Sequence, residues 1–170
     1  MTGDELIEFV ETMFKEIKDV KPTILIVVPA LAELFLNLTK QFGLGMLGGN
    51  LKTIICGGAS VPPYLVEEFP KFGVTLLPGY GLTETANLVS GNPEGKNKPN
   101  SVGLFYPGQE IKIVNDELWL KGDNLLTSYY NEPEENANAF EDGWFKTGDL
   151  VRFDEEGYLY ITGRIKDIIV

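Results

Sequence analysis

Residues 23–36 read TILIVVPALAELFL and combine the two patterns that decide the fold class. The first six, Thr23–Val28, are mostly β-branched and lack polar alternation, which predicts a strand covered on both faces. Pro29 suits the first turn of a helix, and apolar residues recur after it at spacings of three and four. A strand followed directly by an amphipathic helix predicts one half of a βαβ unit.

The flanking sequence repeats this alternation. A run of apolar residues at helical spacing predicts a helix that starts near residue 2 and ends before Pro22. Two further strands are predicted at 52–56 (KTIIC) and 74–77 (VTLL), with a helix over 62–69 between them. Strands that alternate with helices indicate right-handed crossovers and a parallel sheet. The fold class is therefore predicted to be α/β for this part of the chain.

Two loops leave the carboxyl ends of the predicted strands. Residues 57–60 (GGAS) follow the second strand, and residues 78–85 (PGYGLTET) follow the third. In open parallel sheets, ligands bind outside the carboxyl ends of the strands. Both loops are thus expected to open on one side of the sheet and to carry chemistry.

The pattern changes after Gly91–Asn100 (GNPEGKNKPN), a long polar stretch rich in glycine, proline and asparagine. Beyond it, apolar residues alternate with period two in short runs around Ile111, Leu118 and Tyr158, and turn residues separate the runs. We therefore predict two domains: a partial α/β subdomain over 1–100, and an antiparallel β-subdomain, a distorted barrel, over 101–170.

Composition excludes several classes of function. The 170 residues include 14 Lys and Arg, 25 Asp and Glu and no histidine, so the net charge is −11. This acidity argues against a nucleic-acid partner. Absence of histidine removes every Ser–His, Cys–His and histidine-ligated metal mechanism from this chain. A single cysteine permits no internal disulfide, and no apolar run is long enough to span a bilayer. Without a basic signal-like start, a cytoplasmic location is expected.

The segment Gly79–Thr85 (GYGLTET) is a candidate ligand-binding loop. Glycines on both sides of Tyr80 would let the backbone approach a flat ligand, and the ring would offer a stacking face. Thr83 and Glu84 then provide a hydroxyl for a phosphate and a carboxylate for Mg²⁺. The alternative is a simple turn into a helix, with Thr83 as its N-cap.

Two later segments also carry charged candidates. Residues 144–150 (WFKTGDL) place Asp149 after a Thr-Gly turn, where a carboxylate could accept both hydroxyls of a ribose. Residues 163–167 (GRIKD) cluster Arg164, Lys166 and an aspartate. Taken alone, the first is also typical of a solvated β-turn, the second of a polar strand end, and GGAS of a tight strand-to-helix turn.

Taken together and in order, the segments at 57–60, 79–85, 122–134, 144–150 and 163–167 resemble the AMP-forming adenylate superfamily. This superfamily comprises acyl- and aryl-CoA synthetases, beetle luciferases and peptide-synthetase adenylation domains. Leu82 stands where peptide-synthetase domains usually have proline, which resembles the acyl-CoA synthetase or luciferase branch.

The resemblance implies a role for each matching residue. Adenine would lie between the backbone around Gly58-Ala59 and the ring of Tyr80. The neighbouring small residues are further cofactor-binding candidates: Gly57, Ser60, Gly79 and Gly81. Thr83 would donate to the α-phosphate of ATP or AMP, and Glu84 would hold Mg²⁺. Asp149 would bind the ribose hydroxyls with Arg164 beside it, and Lys166 would be the hinge of domain rotation. Pro78 departs from the family pattern, where many members carry an amide or acid.

The implied function is an ATP-dependent carboxylic acid–CoA ligase, with a fatty acid as the expected substrate and coenzyme A as the thiol. Alternatives are an aryl-acid or luciferase-like adenylating enzyme, or a non-catalytic AMP- or ATP-binding module. The family's phosphate loop would precede residue 1, and its C-terminal domain would follow Val170. The chain is therefore expected to be a fragment, inactive alone, whose partners include the missing N- and C-terminal parts of the same enzyme.

Overall fold

The computed structural model describes residues 3–167. Contacts divide the chain between Leu77 and Pro78 into two compact units. This division lies inside a strand, whereas the sequence pattern changes near residue 100. The boundary at 100/101 marks a change of strand periodicity and stays a prediction.

The first unit contains the predicted helix–strand alternation. Its elements are α1 (Gly3–Val20), β1 (Ile24–Val27), α2 (Pro29–Phe42), β2 (Thr53–Cys56), α3 (Pro63–Glu68) and the beginning of β3 (Thr75–Gly81). Strands β1 and β2 pair in parallel, with Ile24 opposite Thr53 and Val27 opposite Cys56. The backbone N–H of Thr75 donates to Lys52 O at 2.8 Å. The prediction of a parallel α/β arrangement is confirmed.

Helix packing on one face of these strands forms the first core. Phe14 of α1 meets Phe35 of α2 edge to face, with ring centroids 5.6 Å apart. Leu36, Ile54 and Leu65 are essentially inaccessible to solvent. Each such side chain contributes about 1.5–3 kcal/mol relative to an exposed one. The apolar periodicity of α1 and α2 is thus used for burial, as expected.

The prediction that β1 is covered on both faces is wrong for the described residues. Leu25 and Val27 pack against the core, but Ile24 is 56% exposed and Ile26 is 75% exposed. Because successive side chains of a strand point to opposite faces, the alternate residues form an apolar row that no described element covers.

The second unit begins within β3 and is antiparallel. Residues 79–81 of β3 pair with β4 (Leu88–Gly91), which pairs with β5 (Leu104–Phe105). The elements that follow are β6 (Glu110–Val114), β7 (Glu117–Lys121), α4 (Pro133–Ala139), β8 (Phe140–Glu141), β9 (Trp144–Phe153) and β10 (Leu159–Arg164). The strands among them form a second sheet in the order β10-β9-β7-β6, with β8 beside β9. The prediction of an antiparallel second part is confirmed.

The polar stretch 91–100 is clamped within the second unit. Asn92 is 5% exposed, and its Nδ2 donates to Ser101 O at 2.7 Å while its Oδ1 accepts from Lys98 N at 3.0 Å. Lys98 Nζ lies 2.7 Å from both Asp154 Oδ2 and Glu156 Oε1. A sequence rich in glycine and asparagine is here a fastened loop, because its polar side chains satisfy buried backbone groups.

Among the described helices, none combines the length and the apolar character needed to cross a bilayer.

Candidate nucleotide-binding site

Asp149 lies in the middle of β9, not after a β-turn as the sequence suggested. Gly148, the preceding residue, has φ +73°, a left-handed conformation that favours glycine. Its N–H donates to Glu117 Oε1 at 2.9 Å, and Asp149 N donates to Thr147 Oγ1 at 3.1 Å. The Thr-Gly pair is therefore an irregularity inside a strand, and the two side-chain acceptors replace lost ladder bonds.

The structure brings Tyr80, Asp149 and Arg164 together. Tyr80 Oη donates to Asp149 Oδ2 at 2.6 Å, and Arg164 Nε donates to Asp149 Oδ1 at 3.0 Å. Asp149 and Arg164 are also register partners across β9 and β10. Asp149 is 5% exposed, and each oxygen of this buried carboxylate accepts a hydrogen bond. Three sequence-predicted residues thus form one hydrogen-bonded group.

The tyrosine of this group is a neutral donor. Burial raises the pKa of Tyr80 well above its usual value, and the Asp149 carboxylate raises that pKa further. A hydrogen bond with Thr147 and then the charge of Arg164 lower the pKa, and both are smaller causes than those that raise it. A buried phenol beside a carboxylate therefore keeps its proton, and a hydrogen bond to a charged acceptor stabilises by about 1.5–3 kcal/mol.

The glycines on either side of Tyr80 lie close to the neighbouring strand. A Cβ at Gly81 would lie 2.6 Å from Leu88 Cα, and one at Gly79 would lie 2.9 Å from Leu88 Cδ1. Both contacts come from β4, the antiparallel neighbour. Close approach of backbone to backbone accounts for glycine at position 81 without a ligand, a reason that local sequence did not reveal. At position 79 the nearest atom is the end of the Leu88 side chain, which can move, and the nearest backbone atom is Ser90 O at 3.1 Å.

Glu84 is held in a short turn by a segment distant in sequence. Residues Thr83–Thr85 form one 3₁₀ turn rather than the start of a helix. The Glu84 carbonyl accepts from Leu126 N at 2.7 Å, and its Oε1 accepts from Tyr129 Oη at 2.8 Å. Burial and the Glu84 carboxylate raise the pKa of Tyr129 to about 12, so this phenol too remains a donor.

A pocket of about 360 Å³ lies beside these residues. Glu84, Arg164 and Lys166 line it, together with Leu82, Glu117 and Tyr129. Tyr80, Thr83 and Asp149 do not line it, but Arg164 belongs to both the pocket and the Asp149 group. The pocket therefore combines carboxylates and cations, as a site for a metal-bound phosphate would need.

Glu84 is compatible with Mg²⁺ as a single carboxylate ligand. In residues 3–167, no group of three or more His, Cys, Asp or Glu side chains converges as a metal cage. Mg²⁺ is commonly held by one or two carboxylates plus substrate phosphates, so a full cage is not required. Glu84 Oε2 accepts no hydrogen bond from the described residues, and this oxygen fits the role.

The remaining predicted residues lie on exposed segments. In the first unit, Gly57–Ser60 follows the carboxyl end of β2 as expected, with Gly57 half-buried and the other three residues exposed. Gly58 has φ +80°, which accounts for a glycine in this turn. In the second unit, Lys166 is exposed within the 3₁₀ turn Ile165–Asp167. Their roles toward a nucleotide and as a hinge stay predictions.

Sequence reasoning missed the residues that support the predicted ones. Tyr129 binds Glu84, Glu117 caps the Gly148 N–H, and Asn124 Nδ2 donates to Thr85 O at 2.8 Å. Tyr129 lies in the segment 122–134, which resembles the family. Its position in that segment was the available signal. The pairings themselves span 31 to 45 residues of chain and leave no local pattern.

Comparison with known proteins identifies the family. The sequence family described as AMP-binding enzyme matches residues 1–130. Long-chain-fatty-acid–CoA ligase FadD15 of Mycobacterium bovis is 41% identical over 125 residues, covering 73% of this chain and 21% of the relative. Oxalate–CoA ligase of Arabidopsis thaliana is 40% identical over 135 residues, covering 71% of this chain and 26% of the relative.

A solved structure shows the same fold. The Bacillus subtilis O-succinylbenzoate coenzyme A synthetase in complex with AMP superposes with a TM-score of 0.80 and 30% identity, covering 94% of this chain and 35% of that one. The chain thus spans about a fifth to a third of the length of the proteins it matches. With the family match over most of its residues, the chain belongs to the AMP-binding enzyme family.

Proposed function

We propose that this chain forms part of the nucleotide site of an AMP-forming acid–CoA ligase. The observation that carries the proposal is the group in which Tyr80 and Arg164 hold the two oxygens of the buried Asp149 carboxylate. A carboxylate fixed in this way is a pre-oriented acceptor for a ribose. The fatty-acid ligase and AMP-complex relatives support the assignment.

Lone-pair counting supports ribose as the ligand of Asp149. A carboxylate offers about four acceptor sites, and the donors observed occupy two of them. Two sites remain, one on each oxygen, which suits the neighbouring 2′- and 3′-hydroxyls of AMP. Tyr80 is 8% exposed, so it would meet adenine with only a small part of its ring.

The proposed reaction needs little from this chain beyond positioning. The substrate carboxylate attacks the α-phosphorus of ATP, the bond to the β-phosphate oxygen breaks, and pyrophosphate leaves. The sulfur of coenzyme A then attacks the acyl carbon of the adenylate, its proton is lost and AMP leaves. The first nucleophile is already ionised at neutral pH, so a chain without histidine can serve this chemistry.

Thr83 and Glu84 would act on the phosphates. Thr83 would donate its hydroxyl to the α-phosphate, and Glu84 would hold Mg²⁺ through Oε2. When bound, the metal would neutralise charge on the phosphate oxygens. Arg164 and Lys166 line the same pocket as Glu84 and would add positive charge near it.

The remainder of the enzyme is the proposed partner of the apolar row on β1. Ile24 and Ile26 are 56% and 75% exposed. A row of exposed apolar side chains is typical of a surface on which another part of a protein packs. We propose that the rest of the polypeptide packs here, supplies the phosphate loop and the C-terminal lysine domain, and uses Lys166 as a hinge.

Two classes of carboxylic acid are candidate substrates. A long-chain fatty acid is the proposed substrate because a long-chain-fatty-acid–CoA ligase is 41% identical over the matched region. An aryl acid is the second candidate, since a similar solved relative is named for O-succinylbenzoate. Pyrophosphate release measured against both kinds of acid separates them.

Binding and catalysis can be tested in turn. AMP is titrated into the 170-residue chain by NMR, alongside Asp149→Ala and the exposed control Asp123→Ala. We expect weak binding that Asp149→Ala abolishes and Asp123→Ala preserves. The polypeptide from the full reading frame is then assayed for acid-dependent pyrophosphate exchange. AMP binding without exchange would favour a non-catalytic module, and a nucleotide affinity that Asp149→Ala leaves unchanged would overturn the proposed site.

A further inference from the structure

The loop at 122–131 is fastened to the Glu84 turn at three points. Leu126 N donates to the Glu84 carbonyl at 2.7 Å, and Asn124 Nδ2 donates to the Thr85 carbonyl at 2.8 Å. These two contacts fix the backbone of the turn. The third, from Tyr129 Oη to Glu84 Oε1 at 2.8 Å, acts on the side chain alone.

Tyr129 is anchored independently of its hydroxyl. Its N–H donates to Asn136 Oδ1 at 2.7 Å, and its carbonyl accepts from Asn136 Nδ2 at 2.9 Å. Its ring lies beside that of Phe140, with centroids 6.3 Å apart. Helix α4 therefore holds the backbone of Tyr129, and the phenol oxygen is presented to Glu84 from a fixed position.

A glutamate side chain has several rotatable bonds, and a single ligand oxygen gains from having them fixed beforehand. Here Oε1 is engaged by Tyr129 and Oε2 accepts nothing from the described residues. We propose that Tyr129 is a positioning residue for Glu84, which orients the carboxylate so that Oε2 meets the Mg²⁺ of the nucleotide. This inference rests on the proposed function.

A purely structural role would give different results. If the hydroxyl served only to hold the loop, its loss would lower stability and activity at every metal concentration. If it orients Glu84, its loss would mainly weaken metal binding, because the backbone clamp from Asn136 and the ring packing on Phe140 survive a change to phenylalanine. Removing a side chain that hydrogen-bonds to a metal ligand typically lowers metal affinity or activity about 10–100-fold.

The test compares Tyr129→Phe with Tyr130→Phe, a change at the neighbouring tyrosine, which is 89% exposed. Both are made in the polypeptide from the full reading frame, and pyrophosphate exchange is followed as Mg²⁺ is varied. For Tyr129→Phe, we expect the half-saturating Mg²⁺ concentration to rise about 10-fold while the rate at saturating metal largely recovers. Tyr130→Phe should match the unchanged protein.

A second readout does not depend on turnover. Electron paramagnetic resonance measures the Mn²⁺ that stays free in the presence of ATP, and the metal bound to each variant follows by difference. Tyr129→Phe should bind Mn²⁺ more weakly by a similar factor. An unaltered metal dependence, or a lower rate at every Mg²⁺ concentration with unaltered Mn²⁺ binding, would refute the positioning role. If the unchanged polypeptide neither exchanges pyrophosphate nor binds AMP, the proposed function itself fails.

Discussion

Arg164 lies directly across the β9–β10 ladder from Asp149, and its Nε donates to Asp149 Oδ1 at 3.0 Å. Opposite charges at facing positions of an antiparallel pair stabilise that register. A register shift elsewhere in this pair, between Ile161 and Gly163, brings the arginine opposite the aspartate. Strand pairing thus brings together two side chains of the candidate site that are 15 residues apart in sequence.

The Tyr80 hydroxyl is expected to matter for stability. Tyr80→Phe removes the donor to Asp149 Oδ2 and leaves a buried carboxylate oxygen without a protein partner. We expect the free energy of unfolding in urea to fall by about 1–3 kcal/mol. Tyr130→Phe, at an exposed position, is the matched control and should change it little. An unchanged unfolding midpoint for Tyr80→Phe would show that water replaces the phenol at no cost.

Much of the first unit could be predicted from local pattern. TILIVV at 23–28 and the helical spacing after Pro29 gave the correct elements, since burial on a parallel sheet demands those periodicities. The same run misled about coverage, because an apolar composition indicates how often such residues are buried and does not show which face of the strand is covered. In the described residues, Ile24 and Ile26 on one face of β1 are 56% and 75% exposed.

The second unit was harder to predict because its elements depend on distant partners. Helix α4 has no buried residue, so PEENANA shows no apolar period. The Thr147-Gly148 pair signals a turn locally, but strands β7 and β10 on either side keep β9 extended. The convergence of Tyr80, Asp149 and Arg164 was expected only through the family resemblance. Tyr129 was missed: it lies in the segment 122–134 that resembles the family, but the resemblance assigned it no role.

Gly81 should tolerate no side chain. Gly81→Ala would place a Cβ 2.6 Å from Leu88 Cα and against the Asn87 carbonyl oxygen, so β3 and β4 would have to separate. Overpacking of this kind typically costs about 1–3 kcal/mol, and here rigid backbone supplies the clash. Chemical denaturation of the chain measures the loss. Gly45→Ala, where nothing lies within 4 Å, is the control and should be close to neutral.

Acid should loosen the fastening of the loop at 91–100. The hydrogen bond from Lys98 is the largest cause that lowers the pKa of Asp154, from 3.8 to about 2. A lowered folded-state pKa contributes stability that is fully present above 3.8 and is lost as pH falls through about 2. Asp154→Asn should therefore flatten the decline in unfolding free energy between about pH 4 and pH 2, as measured by denaturation at each pH. An equally steep decline in the variant would assign the acid sensitivity to other carboxylates.

The apolar row on β1 predicts a difference between the isolated chain and a longer polypeptide. Ile26 is 75% exposed, so Ile26→Lys should leave the thermal stability of the 170-residue chain nearly unchanged. In the polypeptide from the full reading frame, the same lysine would be buried without a partner and should lower stability by several kcal/mol. Ile54→Lys, at a position with no exposure, should unfold both and serves as the control. Equal tolerance of Ile26→Lys in the two proteins would show that nothing packs on this face.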